Sequence, residues 1–520
     1  MISRYLTSAV LAASLLAFGC GDDEGGTGGD GATGGTGGAG ATGGAGGSGG
    51  VGGGTGGTGG GAGGAGGTGG MIALVDCNNL PDLTAYAVEN APPTPAGDCT
   101  GEIFMPGLDD GARLNIRLEN ANPGDTICLA EGTYEMEVTV SITLVSGLTL
   151  KGIADSPDKT ILNFGGPGTG PGINVTVDNV TIENLWVKNT GANGVVQDGT
   201  TGSRFIKVHV SWENKDNTQN GRYGIYPTNC ENTTVEYSHA SGASDAGIYI
   251  GKCGYEDDTT SGGVVRYNIA DSNVAGLEVE NSLDVIVHDN LIVNNTGGLL
   301  ALQQPISETK LSNTNVEMYD NRVWCNNTEN FATSGVVQVI PPGTGALAYG
   351  GDGVDIHDND IQNNDTVGVA IVSNFLLCQL TQFEDEPSDC PPYPVGYVPY
   401  SKNVYVHDNF FAGNGTNAGP PFGDLFNLLN VGTPQSPLED IVWFGNIEPP
   451  GTEDPGICLG ANNTASYRDI TSNACQAACD GIDPPPGNPD AAAQCDVAFG
   501  ICSAENTTTE TTGRDCDPSR

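Results

Sequence analysis

A glycine followed by a short apolar strand recurs in the middle of the chain, as in Gly224-Ile225-Tyr226-Pro227 and Gly247-Ile248-Tyr249-Ile250. The instances begin at Gly194, Gly224, Gly247, Gly276, Gly298, Gly335 and Gly368. The shortest and most similar intervals are those from Gly224 to Gly247 and from Gly276 to Gly298. Few residues between these points favour a helix. Strands that repeat at this short interval predict an all-β solenoid, which we interpret as a right-handed, single-stranded parallel β-helix.

Two columns of residues support this interpretation. The residue after each glycine is always aliphatic, as an inward-facing column requires: Val195, Ile225, Ile248, Leu277, Leu299, Val336 and Val369. The next residue varies, as expected of an outward face: Val196, Tyr226, Tyr249, Glu278, Leu300, Val337 and Ala370. A second strand ends in a polar turn whose asparagines predict a stacked amide ladder: Asn290, Asn321, Asn359 and Asn409.

The two ends of the chain differ from this repeat. Residues 1–20 are typical of an export signal, with Arg4 followed by a short apolar stretch and Cys20. Residues 21–70 are dominated by glycine and predict a disordered linker that tethers a folded domain. Residues 71–122 form an N-terminal segment, in which 109–121 have helical character and are expected to cap the solenoid. We place the β-helix at 123–447 and a cysteine-rich tail at 448–520.

The segment ending in Ala17-Phe18-Gly19-Cys20 resembles the lipobox of bacterial lipoproteins. This resemblance implies that Cys20 is lipidated and anchors the chain to a membrane. Gly21 after the cysteine favours the outer membrane in lipoprotein sorting. The implied localisation is extracytoplasmic, at the outer membrane or cell surface, with plain secretion as the alternative.

Segment 110–475 resembles a bacterial family of parallel β-helix repeat proteins of the carbohydrate-binding and sugar-hydrolase type. The matching motifs are P-G-D-T-I at 123–127, E-G-T-Y at 131–134, Y-G-I-Y-P at 223–227, G-A-S-D-A-G-I-Y-I-G at 242–251, N-V-A-G-L-E-V-E-N at 273–281 and N-N-T-G-G at 294–298. The resemblance covers most of the chain. It implies extracytoplasmic work on glycans without defining a reaction.

Cysteines and histidines each have two interpretations. Cys230 and Cys253 are one short repeat apart, so stacking of adjacent turns predicts a disulfide between them. Cys378 and Cys390 are expected to close a Pro-rich loop. The tail cysteines favour disulfides over a zinc site, with pairing left open: Cys458, Cys475, Cys479, Cys495, Cys502 and Cys516.

The histidines His288, His357 and His407 lie in His-Asp-Asn turns. We interpret these turns as solvated rather than metal-binding, because His357 and His407 are far apart in the sequence.

The outward face between 222 and 281 carries the candidate catalytic residues. Tyr226, Tyr249 and Glu278 share one column, and Arg222 and Asp245 share another on neighbouring turns. β-Elimination or C5-epimerisation of a uronic acid would use a tyrosine base with a lowered pKa and Arg222 to neutralise the carboxylate. Hydrolysis would use two carboxyl groups, Asp245 and Glu278.

Calcium is a further possibility on this face, because Asp245, Glu278 and Glu280 offer hard oxygen ligands. The alternative without a function is a tyrosine ladder beside an Arg222–Asp245 ion pair, with solvated glutamates and no catalysis.

Tyr223-Gly224-Ile225-Tyr226-Pro227 also resembles the Y-G-x-D-P-H motif of mannuronan C5-epimerases. Tyr226 stands where that family has its catalytic aspartate, and Thr228 where it has its histidine. The resemblance therefore implies a related groove rather than the same catalysis.

Charge narrows the choice of partner. The 520 residues include 63 acidic and 18 basic side chains, a net charge of −45. This excludes a nucleic-acid partner, and it favours a neutral polysaccharide or a Ca²⁺-dependent interaction over direct contact with a polyanion. We expect a monomeric protein that binds or processes polysaccharide. The alternative is a non-catalytic structural or adhesion rod.

Overall fold

The computed structural model describes residues 74–80, 98–166, 168–254, 261–305, 313–374, 397, 399–419, 438–444, 456–463 and 465–470. The expected export signal, Cys20 and the glycine-rich linker lie outside these residues. So do Cys378, Cys390, Cys475, Cys479, Cys495, Cys502 and Cys516. Among the described residues, no helix is both long enough and apolar enough to cross a membrane.

Parallel strands stack in an all-β coil in which each turn contributes up to three short strands. Their aliphatic side chains fill a continuous core, and Ile225, Ile248 and Leu277 have no exposed surface. Helix α1, Asp110–Glu119, precedes the first strand and buries Leu114 and Leu118 in the solenoid core. The helix therefore closes the core at the N-terminal end, as the sequence indicates. Two short 3₁₀ helices cover Pro157–Lys159 and Val336–Val339.

The first stack is an 11-stranded parallel sheet. Its strands, numbered in chain order with all others, are β3 Val140–Ile142, β6 Ile173–Val175, β8 Val195–Asp198, β10 Tyr223–Thr228, β13 Ala246–Gly251, β16 Ala275–Glu280, β19 Gly297–Leu302, β22 Thr344–Tyr349, β25 Val367–Val372, β28 Ile441–Phe444 and β30 Tyr467–Ile470. This stack carries the candidate face.

The other two stacks form a 19-stranded sheet, since the long strands β7 and β9 belong to both. The second stack contains β1 Thr126–Leu129, β4 Thr149–Gly152, β7 Thr181–Lys188, β9 Arg204–Ser211, β11 Thr233–Glu236, β14 Gly263–Arg266, β17 Leu283–His288, β20 Thr314–Tyr319, β23 Asp352–His357, β26 Lys402–His407 and β29 Cys458–Leu459. The third adds β2 Gly132–Glu135, β5 Thr160–Asn163, β12 His239–Ser241, β15 Ile269–Asp271, β18 Leu291–Val293, β21 Arg322–Trp324, β24 Asp360–Gln362 and β27 Phe410–Ala412.

The recurring glycine has a steric cause. A Cβ placed on Gly194 would lie 2.6 Å from the carbonyl oxygen of Gly224 on the next turn, closer than real Cβ contacts occur. A Cβ on Gly298 would collide in the same way with the carbonyl oxygen of Gly345. Only a residue without a side chain fits beneath the next turn here, so the glycine marks each passage through the first stack.

Two buried asparagine ladders run along the turns. In the predicted ladder, Nδ2 of Asn290 donates to Oδ1 of Asn321 at 2.9 Å, and Nδ2 of Asn321 donates to Oδ1 of Asn359 at 3.0 Å. The residue before each of these asparagines has a left-handed backbone, a conformation that Asp tolerates well, as at Asp320 with φ 52°. The ladder also includes Asn268 and Asn462.

A second ladder follows the first at a constant offset, and the sequence analysis missed it. It contains Asn273, Asn295, Asn326, Asn364 and Asn414, each of which bonds to the next at 2.9–3.1 Å. Each of these asparagines follows a member of the first ladder at the same spacing in the sequence: Asn268, Asn290, Asn321, Asn359 and Asn409. This regular spacing could have predicted the second ladder.

Two predictions about the repeat were wrong. Gly335 does not begin a strand, because Val336–Val339 form a 3₁₀ helix, and the strand of this turn is β22 with Gly345 at the repeat position. Its inward and outward residues are Ala346 and Leu347, not Val336 and Val337. The solenoid also does not end at residue 447, since β29 and β30 continue the stacks. Cys458 lies in β29 and is disulfide-bonded, in agreement with the expectation of disulfides for the tail cysteines.

Three disulfides connect described residues. The bond between Cys230 and Cys253 joins adjacent turns, as their spacing predicts. Cys99 bonds to Cys128 near the helical cap. Cys77 bonds to Cys325 across 248 residues, which places residues 74–80 beside the third stack. No sequence spacing indicated these last two pairs.

Candidate functional site

The candidate face lies on the outer side of β10, β13 and β16. Tyr249 is paired in register with Glu278, and Glu278 with Leu300 on β19. Tyr226 holds the same position one turn earlier, since Ile225 pairs with Ile248. Alternation along each strand turns these side chains away from the core. The structure therefore brings the predicted column together.

The predicted column is nevertheless not an open groove. Tyr249 keeps 4% and Glu278 only 2% of its accessible surface, whereas Tyr226 is half-buried. The expectation of solvated glutamates is thus wrong as well. Burial on the outer side of a solenoid requires a second layer of chain.

Residues 327–343, which we name the cover segment, form part of that second layer. Phe331, Val337 and Ile340 belong to one packed apolar cluster with Tyr249. Nδ2 of Asn330 donates to the carbonyl oxygens of Val337 and Ile340 at 2.8 and 2.9 Å, which holds the segment in a compact loop. The segment lies in the long interval between Gly298 and Gly345, which the sequence analysis interpreted as containing a strand at Gly335.

Arg222 and Asp245 form an ion pair beside the tyrosines. Nη2 and Nε of Arg222 donate to Oδ2 of Asp245 at 2.8 and 3.2 Å. Asp245 is buried, and burial raises its pKa while the Arg222 charge opposes that rise. The cover segment passes against this pair, since a Cβ on Gly335 would lie 3.2 Å from Nη2 of Arg222.

Three tyrosines pack together over the pair. The ring of Tyr223 stacks on that of Tyr226 with centroids 4.4 Å apart, and Tyr249 lies 4.8 and 5.0 Å from these two. Burial raises the pKa of Tyr226 to about 12, and burial together with the nearby Glu280 charge raises that of Tyr249 well above its ordinary value. A tyrosine base requires a lowered pKa, so the geometry opposes this predicted role.

Glu278 and Glu280 are the most unusual groups of the site. Burial, followed by repulsion from Asp245, raises the pKa of Glu278 well above its ordinary value. Burial also raises the pKa of Glu280, although a hydrogen bond that Glu278 donates to it opposes the rise. Nε2 of Gln304 donates to Oε2 of Glu280 at 2.9 Å. Oε2 of Glu278 is buried and has no hydrogen-bond partner among the described residues.

The arrangement provides a carboxyl group with a raised pKa beside two further carboxyl groups. A carboxyl with a raised pKa can hold a proton near neutral pH and deliver it as a general acid. Arg222 is engaged by Asp245, which opposes the predicted role of neutralising a substrate carboxylate. The calcium site at Asp245, Glu278 and Glu280 stays a prediction. The sequence analysis did not include Gln304 or the cover segment in the site.

The histidine turns differ from their solvated interpretation. His288, Tyr319, His357 and His407 form one column of nearly parallel rings whose successive centroids lie 4.9, 5.1 and 4.8 Å apart. The three histidine side chains expose only 12–17% of their surface to solvent. His357 and His407 lie on adjacent turns although they are far apart in the sequence, since β23 pairs with β26.

The chain is similar in structure to several proteins with names that refer to polysaccharides. The A-module of the mannuronan C-5 epimerase AlgE4 of Azotobacter vinelandii is 16% identical, with a TM-score of 0.46, covering 71% of this chain and 94% of that one. An alginate lyase from Paenibacillus sp. str. FPU-7 is 12% identical, with a TM-score of 0.40 and coverages of 69% and 95%. A hyperthermoactive exopolygalacturonase from Thermotoga maritima is 11% identical, with a TM-score of 0.41 and coverages of 75% and 94%.

No curated protein sequence matches the chain. A family model does match part of it, and this match agrees with the stacked parallel strands described above. Residues 158–316 match the family described as a right handed beta helix region, and the fold of the protein is a right-handed parallel β-helix.

Proposed function

We propose that the protein binds a polysaccharide on the outer side of β10, β13 and β16 and cleaves it by acid–base catalysis. The observation that carries this proposal is the buried group of Asp245, Glu278 and Glu280, whose pKa values are all raised. Burying three carboxyl groups on an outer face costs folding free energy, and such groups are concentrated at functional sites. Glu278 would act as the general acid, with Asp245 as the second carboxyl group.

The half-buried rings of Tyr223 and Tyr226 would bind the apolar faces of sugar rings. The column continues along the solenoid, so an extended polymer could follow it from turn to turn once the cover segment had moved away. A neutral glycan is favoured over a uronate, because Arg222 is paired with Asp245 and the chain carries a charge of −45. A uronate substrate would require Ca²⁺ bound by Asp245, Glu278 and Glu280.

The cover segment favours a second candidate function, that of a non-catalytic structural or adhesion rod. Phe331, Val337 and Ile340 are buried in the same cluster as Tyr249, so a polymer reaches Glu278 only if this segment moves. In a rod without catalysis, the tyrosines and the Arg222–Asp245 pair would serve only to attach the cover segment.

We infer an extracytoplasmic location with a lipid anchor at Cys20 and residues 21–70 as the tether to the outer membrane. The disulfides Cys77–Cys325, Cys99–Cys128 and Cys230–Cys253 support export, since such bonds persist in oxidising compartments. Plain secretion remains the alternative. Fractionation of cells, with the wild-type chain compared with Cys20→Ser, tests this, and recovery of both forms from the medium would contradict the anchor.

The test of function is a panel of neutral and uronic-acid glycans, with and without Ca²⁺, in which binding and product release are both measured. Glu278→Gln, alone and combined with Tyr249→Phe, should abolish product release while far-UV circular dichroism is unchanged. Glu135→Gln, a carboxyl group exposed on β2, is the control. Binding without turnover by the wild type would leave a recognition module. No response to any glycan would favour the rod.

A further inference from the structure

A second cluster of polar side chains lies on the outer side of the second stack, away from the candidate face. Glu317 on β20 pairs in register with Asp355 on β23, and His357 on β23 pairs with His407 on β26. One potential ligand atom each from Asp355, His357 and His407 lies within 4.8 Å of the other two. Nε2 of His357 also lies 3.2 Å from Oε1 of Glu317. Two imidazoles and two carboxyl groups therefore meet across three turns.

Both imidazoles are oriented by a second carboxyl group. Nδ1 of His357 lies 2.8 Å from Oδ2 of Asp358, and Nδ1 of His407 lies 2.8 Å from Oδ2 of Asp408. A histidine that donates its Nδ1 hydrogen to a carboxylate presents the lone pair of Nε2 on its other side. Metal-binding histidines are commonly held by such a carboxylate partner.

The Nε2 atom of each of these two histidines faces a carboxylate oxygen, that of Glu317 for His357 and that of Asp355 for His407. Nε2 of His407 lies 3.1 Å from Oδ1 of Asp355, yet this oxygen is buried and accepts no aligned hydrogen bond from any described residue. Two lone pairs at this separation repel each other unless a proton or a cation lies between them. A proton or a cation is therefore needed between Nε2 of His407 and Oδ1 of Asp355, and a cation here would also lie near His357.

We propose that Asp355, His357 and His407, with Glu317 as a fourth ligand, bind a divalent transition metal ion such as Zn²⁺. Imidazole nitrogen favours Zn²⁺ and its neighbours over Ca²⁺ and Mg²⁺, and two imidazoles with two carboxylates complete a tetrahedral set. Bonds of about 2.0–2.1 Å require the two Nε2 atoms to approach each other, which the parallel rings can achieve by tilting.

Such an ion would add side-chain bonds between two turns that already pair through their backbones. β23 and β26 are adjacent parallel strands, although β24, β25 and a long stretch of sequence lie between them in the chain. A metal bound by one histidine from each strand clamps the two turns. The site is independent of the proposed catalysis, because it lies in another stack.

The experiment is zinc titration by calorimetry of the intact protein, purified without a polyhistidine tag and stripped with a chelator. The wild type should bind one equivalent that the His357→Gln/His407→Gln variant lacks. His288→Gln is the matched control: it lies in the same ring column with the same aspartate contact, but Ile286 stands where the next turns carry Glu317 and Asp355. It should retain the full equivalent.

Two further measurements separate the ion from a simple ion-pair network. Substituting Co²⁺ should give the visible absorption of tetrahedral coordination, and this spectrum should be lost in the double variant. Asp358→Asn with Asp408→Asn should weaken zinc binding about 10–100-fold without removing a ligand. The proposal is overturned if the wild type binds no zinc, or if the double variant binds the same equivalent with the same affinity.

Discussion

Glu278 lies in register beside Tyr249 on neighbouring strands, and both side chains are buried although they point away from the solenoid core. This pair distinguishes the candidate face from the exposed outer sides elsewhere in the molecule. The burial of this pair depends on the cover segment. The electrostatic free energy that this burial costs on folding depends on the closeness of three carboxyl groups. The predictions below separate these contributions.

Glu278→Gln should stabilise the protein at neutral pH. The pKa of Glu278 is raised in the folded state, so the unfolded chain loses this proton at lower pH than the folded chain does. Stability is therefore fully present below the ordinary glutamate pKa of about 4.3 and falls as the pH rises toward the folded value. Glutamine mimics the protonated form and escapes this loss. We expect a gain of about 1 kcal/mol at pH 7.

The gain should disappear near pH 4, which urea denaturation at both pH values can measure. Glu102→Gln, an exposed carboxyl group near the helical cap, should show no such pH-dependent gain. A loss of stability in Glu278→Gln at pH 7 would mean that the carboxylate form is favoured in the folded protein, against the direction of the shift.

Arg222→Met should destabilise the fold by about 2–3 kcal/mol, because it leaves Asp245 buried without its cation. The figure is set below the range for fully buried pairs, since Arg222 keeps about a third of its surface. Adding Asp245→Asn should recover most of the loss. Denaturation of the four members of this cycle measures the coupling, and additive effects would show that the pair contributes nothing.

Asn326→Ala should cost about 2–4 kcal/mol, because it removes one rung of a buried ladder and leaves the backbone N–H and one of the two Nδ2 hydrogens of Asn295 without acceptors. The matched control is Asn214→Ala at an exposed position, which should change stability by less than about 0.5 kcal/mol. Chemical denaturation compares the two. Equal small effects would mean that water replaces the ladder bonds.

Gly298→Ala should cost more than Gly165→Ala. The added methyl group at Gly298 collides with the carbonyl oxygen of Gly345, which is fixed in the next turn. Gly165 has a positive φ of 73° but open space around it, so its substitution has only the backbone penalty of about 1 kcal/mol. Thermal melts of the two variants decide this, and a smaller loss at Gly298 would show that the turns can separate locally.

The sequence predicts the repeated part of this structure well, because the same physical constraint acts in every turn. Ile225, Ile248 and Leu277 must be aliphatic to fill the core, and the glycine must lack a side chain. The prediction failed at Gly335, where the local pattern of Val336 and Val337 is that of a strand. Their apolar side chains instead cover an outer face, and packing between distant segments overrides local propensity.

The candidate site was predicted only in part for the same reason. Register places Tyr249 beside Glu278, and this follows from counting residues along the repeat. The cover segment, Gln304 and the partner of Cys77 depend on excursions whose path has no periodicity. His357 and His407 show the reverse error, since the long stretch of sequence between them hid the fact that they occupy adjacent turns.

The bond between Cys77 and Cys325 has a mechanical consequence. It closes residues 77–325 into a covalent loop, so tension applied to the chain before Cys77 enters the solenoid at Cys325. The turns from β1 to β21 lie within this loop and bear none of a load pulled between the two ends of the chain. Force on a tethered molecule would thus bypass β10, β13 and β16, whereas the cover segment, which follows Cys325, would lie on the loaded path and could be pulled away from them.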